Sequence, residues 1–168
     1  MNGTELIRAR RSVRRFKAGE PVQPEHLHLM LEAAMMAPSA CNTRPWEFVV
    51  VRSRPVLDSI MELHPYTKML ATAALAVVVC GRPDRQQGRC AEFWPQDCGA
   101  AIENLLLQAV ELGYGGCWCG CWPVEDRALA LKELLGTQGM PLAVVALGVP
   151  DEAPAARGFY DPALVREI

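Results

Sequence analysis

Arg10-Arg11-Ser12-Val13-Arg14 places three guanidinium groups and a hydroxyl within five residues. Guanidinium groups bind phosphate through paired, charge-assisted hydrogen bonds, and a hydroxyl can add one more. The run can therefore enclose a single phosphate group, although a solvated basic turn would use the same residues. A second candidate is Pro38-Ser39-Ala40-Cys41-Asn42-Thr43-Arg44-Pro45-Trp46. Its small residues let backbone approach a flat ligand, and Ser39 and Asn42 offer hydrogen bonds. A third is Gly115-Gly116-Cys117-Trp118-Cys119-Gly120-Cys121, where the glycines let the chain pass close to a ligand or to another backbone. Cys117, Cys119 and Cys121 alternate, so on a strand they share one face. Three thiols on one face can bind metal, but zinc sites favour the CxxC spacing, and small core residues are the plainer reading. No metal site is expected.

The chain lacks P-loop, HExxH and GxSxG signatures, and no Cys–His or Ser–His–Asp order supports a hydrolase. A poor acid–base inventory means that, in an enzyme, a cofactor carries the chemistry and no protein catalytic residue is named.

These residues need a scaffold. The 168 residues, 51% hydrophobic, suffice for one domain with a core, taken as 1–168, with 150–168 as a C-terminal arm. The net charge of −2 gives no bulk attraction to nucleic acid or anionic membrane. Residues 1–20 carry six basic and two acidic side chains, which points to a small anionic ligand. No apolar run approaches the roughly 20 residues of a membrane helix, and no signal-peptide pattern opens the chain. Seven cysteines, an odd count, argue against a disulfide scaffold and for a cytoplasmic protein with reduced thiols. The histidines His26, His28 and His64 are expected at the surface.

Helices are expected over 4–11, 24–36, 56–63, 100–112 and 125–135, from apolar spacing and from Pro and Gly punctuation. Strands are expected over 46–51, 75–80, 114–121 and 142–147, apolar on both faces and so covered on both. The mix indicates an α/β or α+β sandwich. The arm has too little apolar content for a core of its own and would pack on a partner subunit.

Together, Arg-Arg-Ser-Val-Arg at 10–14, Ala-Pro-Ser-Ala-Cys-Asn-Thr-Arg-Pro-Trp-Glu-Phe at 37–48, Asp-Cys-Gly-Ala-Ala-Ile-Glu-Asn-Leu-Leu-Leu at 97–107, Leu-Gly-Tyr-Gly-Gly-Cys-Trp at 112–118 and Ala-Leu-Gly-Val-Pro at 146–150 resemble the nitroreductase family of FMN-dependent oxidoreductases. The resemblance implies an α+β three-layer sandwich, a mainly antiparallel sheet flanked by helices, in an intertwined homodimer with two flavin sites at its interface. It implies that Arg10, Arg11, Ser12 and Arg14 hold the FMN phosphate and ribityl chain. Pro38, Ser39, Ala40 and Asn42 would meet the isoalloxazine across the interface, with Cys117, Trp118 and Cys119 under the ring. Departures are Arg44 and Glu103, where many members have Gln, a short arm, and Phe159 in the register of a basic phosphate contact, for which Arg157 is the nearest substitute. The implied activity passes reducing equivalents from NAD(P)H through FMN to a nitroaromatic, quinone or similar electrophile. The alternatives are a dehalogenase-like or flavin-processing relative and a non-enzymatic flavin-binding protein.

Overall fold

A computed structural model describes residues 1–168 apart from 156, 157 and 159. Four strands, β1 (Trp46–Val51), β2 (Leu75–Gly81), β3 (Gly115–Gly120) and β4 (Met140–Gly148), form one sheet in the order β1-β2-β4-β3. Every pairing is antiparallel. That resolves the fold class as α+β. The five helices are α1 (Gly3–Ala9), α2 (Pro24–Met35), α3 (Arg54–Leu63), α4 (Trp94–Glu111) and α5 (Glu125–Leu135).

The central strands β2 and β4 are apolar throughout because both of their faces are buried, whereas the edge strands β1 and β3 are partly exposed, contrary to expectation. Leu75, Val77, Val79, Val145 and Leu147 pack with residues of α2 and α4, among them Met30, Ile102 and Leu105. Ala76, Val78, Cys80, Val144 and Ala146 pack with Leu57 and Ile60 of α3 and Leu131 of α5. The period-2 alternation of a strand thus divides one sheet between two cores, giving a three-layer sandwich. Cys117, Cys119 and Cys121 all join the second core, as their alternation requires.

Helix α4 begins at Trp94, six residues before the expected start. Pro95 in the first turn and Asp97 near the positive helix end suit a start there but carry no apolar period. Its end is as expected: Gly113, at φ +83°, takes the left-handed conformation that closes many helices. Helix α1 is entered through a capping box between Asn2 and Glu5.

Two expectations are overturned. Cys41 and Cys90 form a disulfide, so not all thiols are free. The segment ahead of α4 folds back across the 38–44 loop, a long-range approach that spacing along the chain does not encode. His64 is fully buried instead of exposed, and its Nε2 lies 3.0 Å from the Gly120 carbonyl. Among the described residues, no helix is long and apolar enough to cross a membrane.

Candidate functional site

The basic run leaves α1 as extended chain and lies against β3. Ser12 and Gly116 form a parallel bridge, and Val13 N–H donates to the Gly116 carbonyl at 3.0 Å. A Cβ on Gly115 would sit 2.8 Å from Val13 Cγ2, and one on Gly116 would sit 2.5 Å from Leu106 Cδ2. These two glycines therefore serve close packing of backbone and core. Gly120, by contrast, faces open space.

Two cavities meet at Arg14. One, of about 530 Å³, is lined by Arg10, Arg11, Ser12, Arg14, Glu152 and Pro154 with their neighbours. The other, of about 460 Å³, is lined by Arg14, His64, Tyr66, Lys68, Met69 and the Cys117–Gly120 stretch of β3. The first is a basic pouch open to an anion. The second is a slot with a β3 edge as its wall and a lysine at its rim.

Arg10 is oriented by Glu103 of α4, whose Oε1 lies 2.9 Å from Arg10 Nε. Glu103 is itself about half exposed, so the pair orients Arg10 rather than satisfying a buried charge. Its neighbour Asn104 donates to the Ala33 carbonyl at 3.0 Å. Arg11 Nε donates to the Ala155 carbonyl at 3.3 Å, tying the run to the arm.

Glu152 ties it more firmly, since its carboxylate accepts the backbone N–H groups of Arg14 and Arg15. The Arg14 N–H, followed by that of Arg15, holds the Glu152 carboxyl below the ordinary glutamate range. A carboxylate that is easier to ionise in the folded chain stabilises it fully above the ordinary range, and that contribution is lost as pH falls through the lowered value. An NMR titration of the Glu152 carboxyl should give a midpoint below about 4.3. An ordinary midpoint would mean that the arm does not hold the run this way.

On β3, the Cys119 thiol donates to Cys117 Sγ at 4.0 Å. This hydrogen bond, helped by Arg14, brings Cys117 down to about 7 and drives Cys119 up. Burial pushes Cys80, Cys98 and Cys121 each to about 12. Trp118 points the other way and is partly exposed. The Gly120 carbonyl accepts from Arg127 Nη1 at 3.0 Å, and Arg127 lies over the Tyr66 ring. Burial, with Arg127 adding to it, lowers the His64 pKa. The neutral imidazole can donate its Nε2 proton to the same carbonyl, fixing the end of the strand.

The Pro38–Asn42 loop stands apart. With Pro38, Ser39 and Ala40 it lines a third cavity of about 360 Å³, together with Phe93, Asp97 and Ala100, and shares no lining residue with the other two. Cys41, Asn42 and Arg44 all have positive φ, which non-glycine residues adopt only at a cost. Asp97 Oδ1 accepts from Ala40 N–H at 3.1 Å, and Gln86 Nε2 donates to Asp97 Oδ2 at 2.7 Å. Ser39 Oγ accepts from Arg44 N–H, and Asn42 Oδ1 accepts from Arg44 Nε. Both side chains expected to meet a ligand thus also brace their own loop.

The structure therefore brings Arg10, Arg11, Ser12 and Arg14 together with Cys117, Trp118 and Cys119, and does not bring Pro38, Ser39, Ala40 and Asn42 to them within one chain. Arg157 lies outside the described residues. Sequence reasoning missed His64, Tyr66, Lys68 and Met69, which lie at the end of α3 and in the turn between α3 and β2; the one available signal was a lysine in an otherwise apolar approach to a strand.

Comparison with known proteins bears on the family and the fold. The family model described as "Nitroreductase family" matches residues 7–149. A protein of Methanothermobacter thermautotrophicus named "Putative NADH dehydrogenase/NAD(P)H nitroreductase" is 41% identical over 164 residues, 96% of this chain and 84% of that one. A crystal structure from Parabacteroides distasonis bearing the same name superposes with a TM-score of 0.91 at 35% identity, covering 99% of this chain and 98% of that one. A nitroreductase structure from Desulfovibrio desulfuricans in complex with FMN has a TM-score of 0.86 at 28% identity, covering 100% and 98% of the two chains.

Proposed function

The chain belongs to the nitroreductase family, and from that premise we propose that it is an FMN-dependent NAD(P)H oxidoreductase whose cofactor lies across the two cavities that meet at Arg14. The observation that carries the reading is their pairing: a pouch lined by three arginines opens beside a slot walled by strand backbone. A phosphate suits the first and a flat ring the second. The residues present fit the group.

In this reading Arg10, Arg11 and Ser12 bind the phosphate, with Glu103 orienting Arg10. Arg14 and Lys68 place positive charge at the slot, where they stabilise negative charge on a reduced ring. The Cys117–Gly120 backbone supports the ring from one side, and open space at Gly120 leaves room for it. FMN, when bound, supplies the chemistry of taking a hydride from NAD(P)H and passing electrons to a second substrate. No protein nucleophile is required. A nitroaromatic, quinone or similar electrophile is the proposed acceptor, and cytoplasmic residence is part of the same reading.

The active unit is proposed to be a homodimer. The Pro38–Asn42 loop would then complete the ring site of the other subunit, which accounts for its lying apart from the arginines. Ile7, Leu29, Met35 and Met36 are exposed on α1, α2 and the end of α2, beside an apolar groove of about 430 Å³. The arm exposes Tyr160, Leu164, Val165 and Ile168. Exposed apolar surface of this extent marks an interface, and a second copy of the chain is the occupant proposed. Anaerobic assays with FMN should show NAD(P)H oxidation by nitro compounds or quinones, and native mass should be twice the 18.5 kDa chain. A flavin-bearing monomer inert toward every acceptor would contradict the proposal.

A further inference from the structure

Cys119 Sγ stands close to two other sulfur atoms at the wall of the slot. Cys119 Sγ lies 4.0 Å from Cys117 Sγ and 3.9 Å from Met69 Sδ. Cys117 and Cys119 are adjacent same-face positions on β3, and Met69 enters from the turn before β2. All three residues line the slot, so an ion has a route to them. An ion bound trigonally at about 2.3 Å from each sulfur requires sulfurs about 4.0 Å apart, using the metal–sulfur length of thiolate sites. The two separations from Cys119 Sγ match that spacing, and the third side, between Cys117 Sγ and Met69 Sδ, would close as the side chains turn to the ion.

The donor set selects the ion. Two thiolates and a thioether are soft ligands, which favour Cu(I) over harder divalent ions. Zinc prefers four ligands, and among the described residues no group of three or more His, Cys, Asp or Glu side chains could hold a metal. Two thiolates around a monovalent ion leave one negative charge. Arg14 and Lys68, which line the same cavity, are placed to offset it. In the ion-free chain the Cys119 thiol lies 3.3 Å from the Tyr66 carbonyl, a contact that it would give up on binding. Cys121, the third thiol of the alternating face, donates to the Cys119 carbonyl at 3.8 Å.

We propose that Cys117, Cys119 and Met69 form a three-sulfur binding site for a soft monovalent cation of the Cu(I) type in the wall of this cavity. Each cysteine loses its thiol proton on binding, and the oxidation state of the ion does not change. The site uses only this chain's own sulfurs, and because its route is the slot in which the ring is proposed to lie, it belongs to the chain without flavin.

The test is an anaerobic competition titration of the full chain without FMN, with Cu(I) supplied from a coloured chelator complex. One ion per chain is expected, and X-ray absorption should show a sulfur-only shell. Cys117→Ser and Cys119→Ser should each weaken binding by more than the 10- to 100-fold typical of losing a group behind the ligands. Met69→Leu, which keeps the core filled, should weaken it less and reduce the sulfur count by one. Zinc should not compete at equal concentration. Binding unchanged in Cys117→Ser/Cys119→Ser, or a nitrogen–oxygen shell in the wild-type chain, would overturn the site. Should the cysteine variants fail to fold, the wild-type absorption spectrum and Met69→Leu decide it.

Discussion

Arg10→Ala is expected to weaken FMN binding by about 1.5–3 kcal/mol, or about 10- to 150-fold in Kd. Arg10 lines the basic pouch, and its Nε is held by Glu103. A guanidinium carries five donors, so this ion pair orients the group without consuming it. A phosphate in the pouch would lose a charge-assisted partner on truncation, and Glu103 would be left facing the anion. Arg8→Ala is the control. Arg8 lies two residues away on α1, is exposed, and lines neither cavity. It removes the same long-range charge without the contact, so its effect should be small and should fade with added salt. Equal FMN affinity in the wild type and Arg10→Ala would remove Arg10 from the phosphate site.

Leu105→Ala tests the scaffold. Leu105 is fully buried on α4, in the core between that helix and the sheet. Truncating a buried leucine costs about 2–5 kcal/mol, from lost burial and from the cavity left behind. In a chain of this length that lowers Tm by roughly 5–15 °C. The same helix carries Glu103, which orients Arg10, and Asp97, which holds the 38–44 loop. The variant should therefore melt early yet bind FMN normally per folded chain at low temperature. A drop below 1 kcal/mol in denaturant unfolding would show that α4 is not the central support described above.

The elements were legible where pattern and burial coincide. Trp46–Val51 reads as a strand because five of its six positions are aromatic or β-branched, although this edge strand is only partly covered. Helix α5 is legible from its apolar spacing and the Gly136 stop, which is left-handed at φ +62°. The start of α4 is not, because Trp94-Pro95-Gln96-Asp97 is fixed by proline geometry and by the Asp97 contact with the loop. The sheet order was equally hidden, since antiparallel register depends on long-range pairing that local alternation cannot specify.

The site divides in the same way. The arginines and Ser12 announce themselves by side-chain chemistry at close spacing. Tyr66, Lys68 and Met69 do not, because they reach the slot from a turn some 50 residues before β3 and share no motif with it. Cys41 and Cys90 meet only because the chain reverses ahead of α4. His64 looked like a surface residue since nothing nearby in sequence pairs with it, and its partner is the Gly120 carbonyl at the far end of β3.

The most direct test is an absorbance spectrum of the purified chain with and without added FMN, followed by anaerobic addition of NAD(P)H. One FMN per chain is expected, with a protein-shifted spectrum that bleaches with NAD(P)H and recovers with a quinone or nitro acceptor. A colourless protein that takes up no FMN would contradict the claim that the Arg10–Arg14 pouch and the Cys117–Gly120 slot form one flavin site.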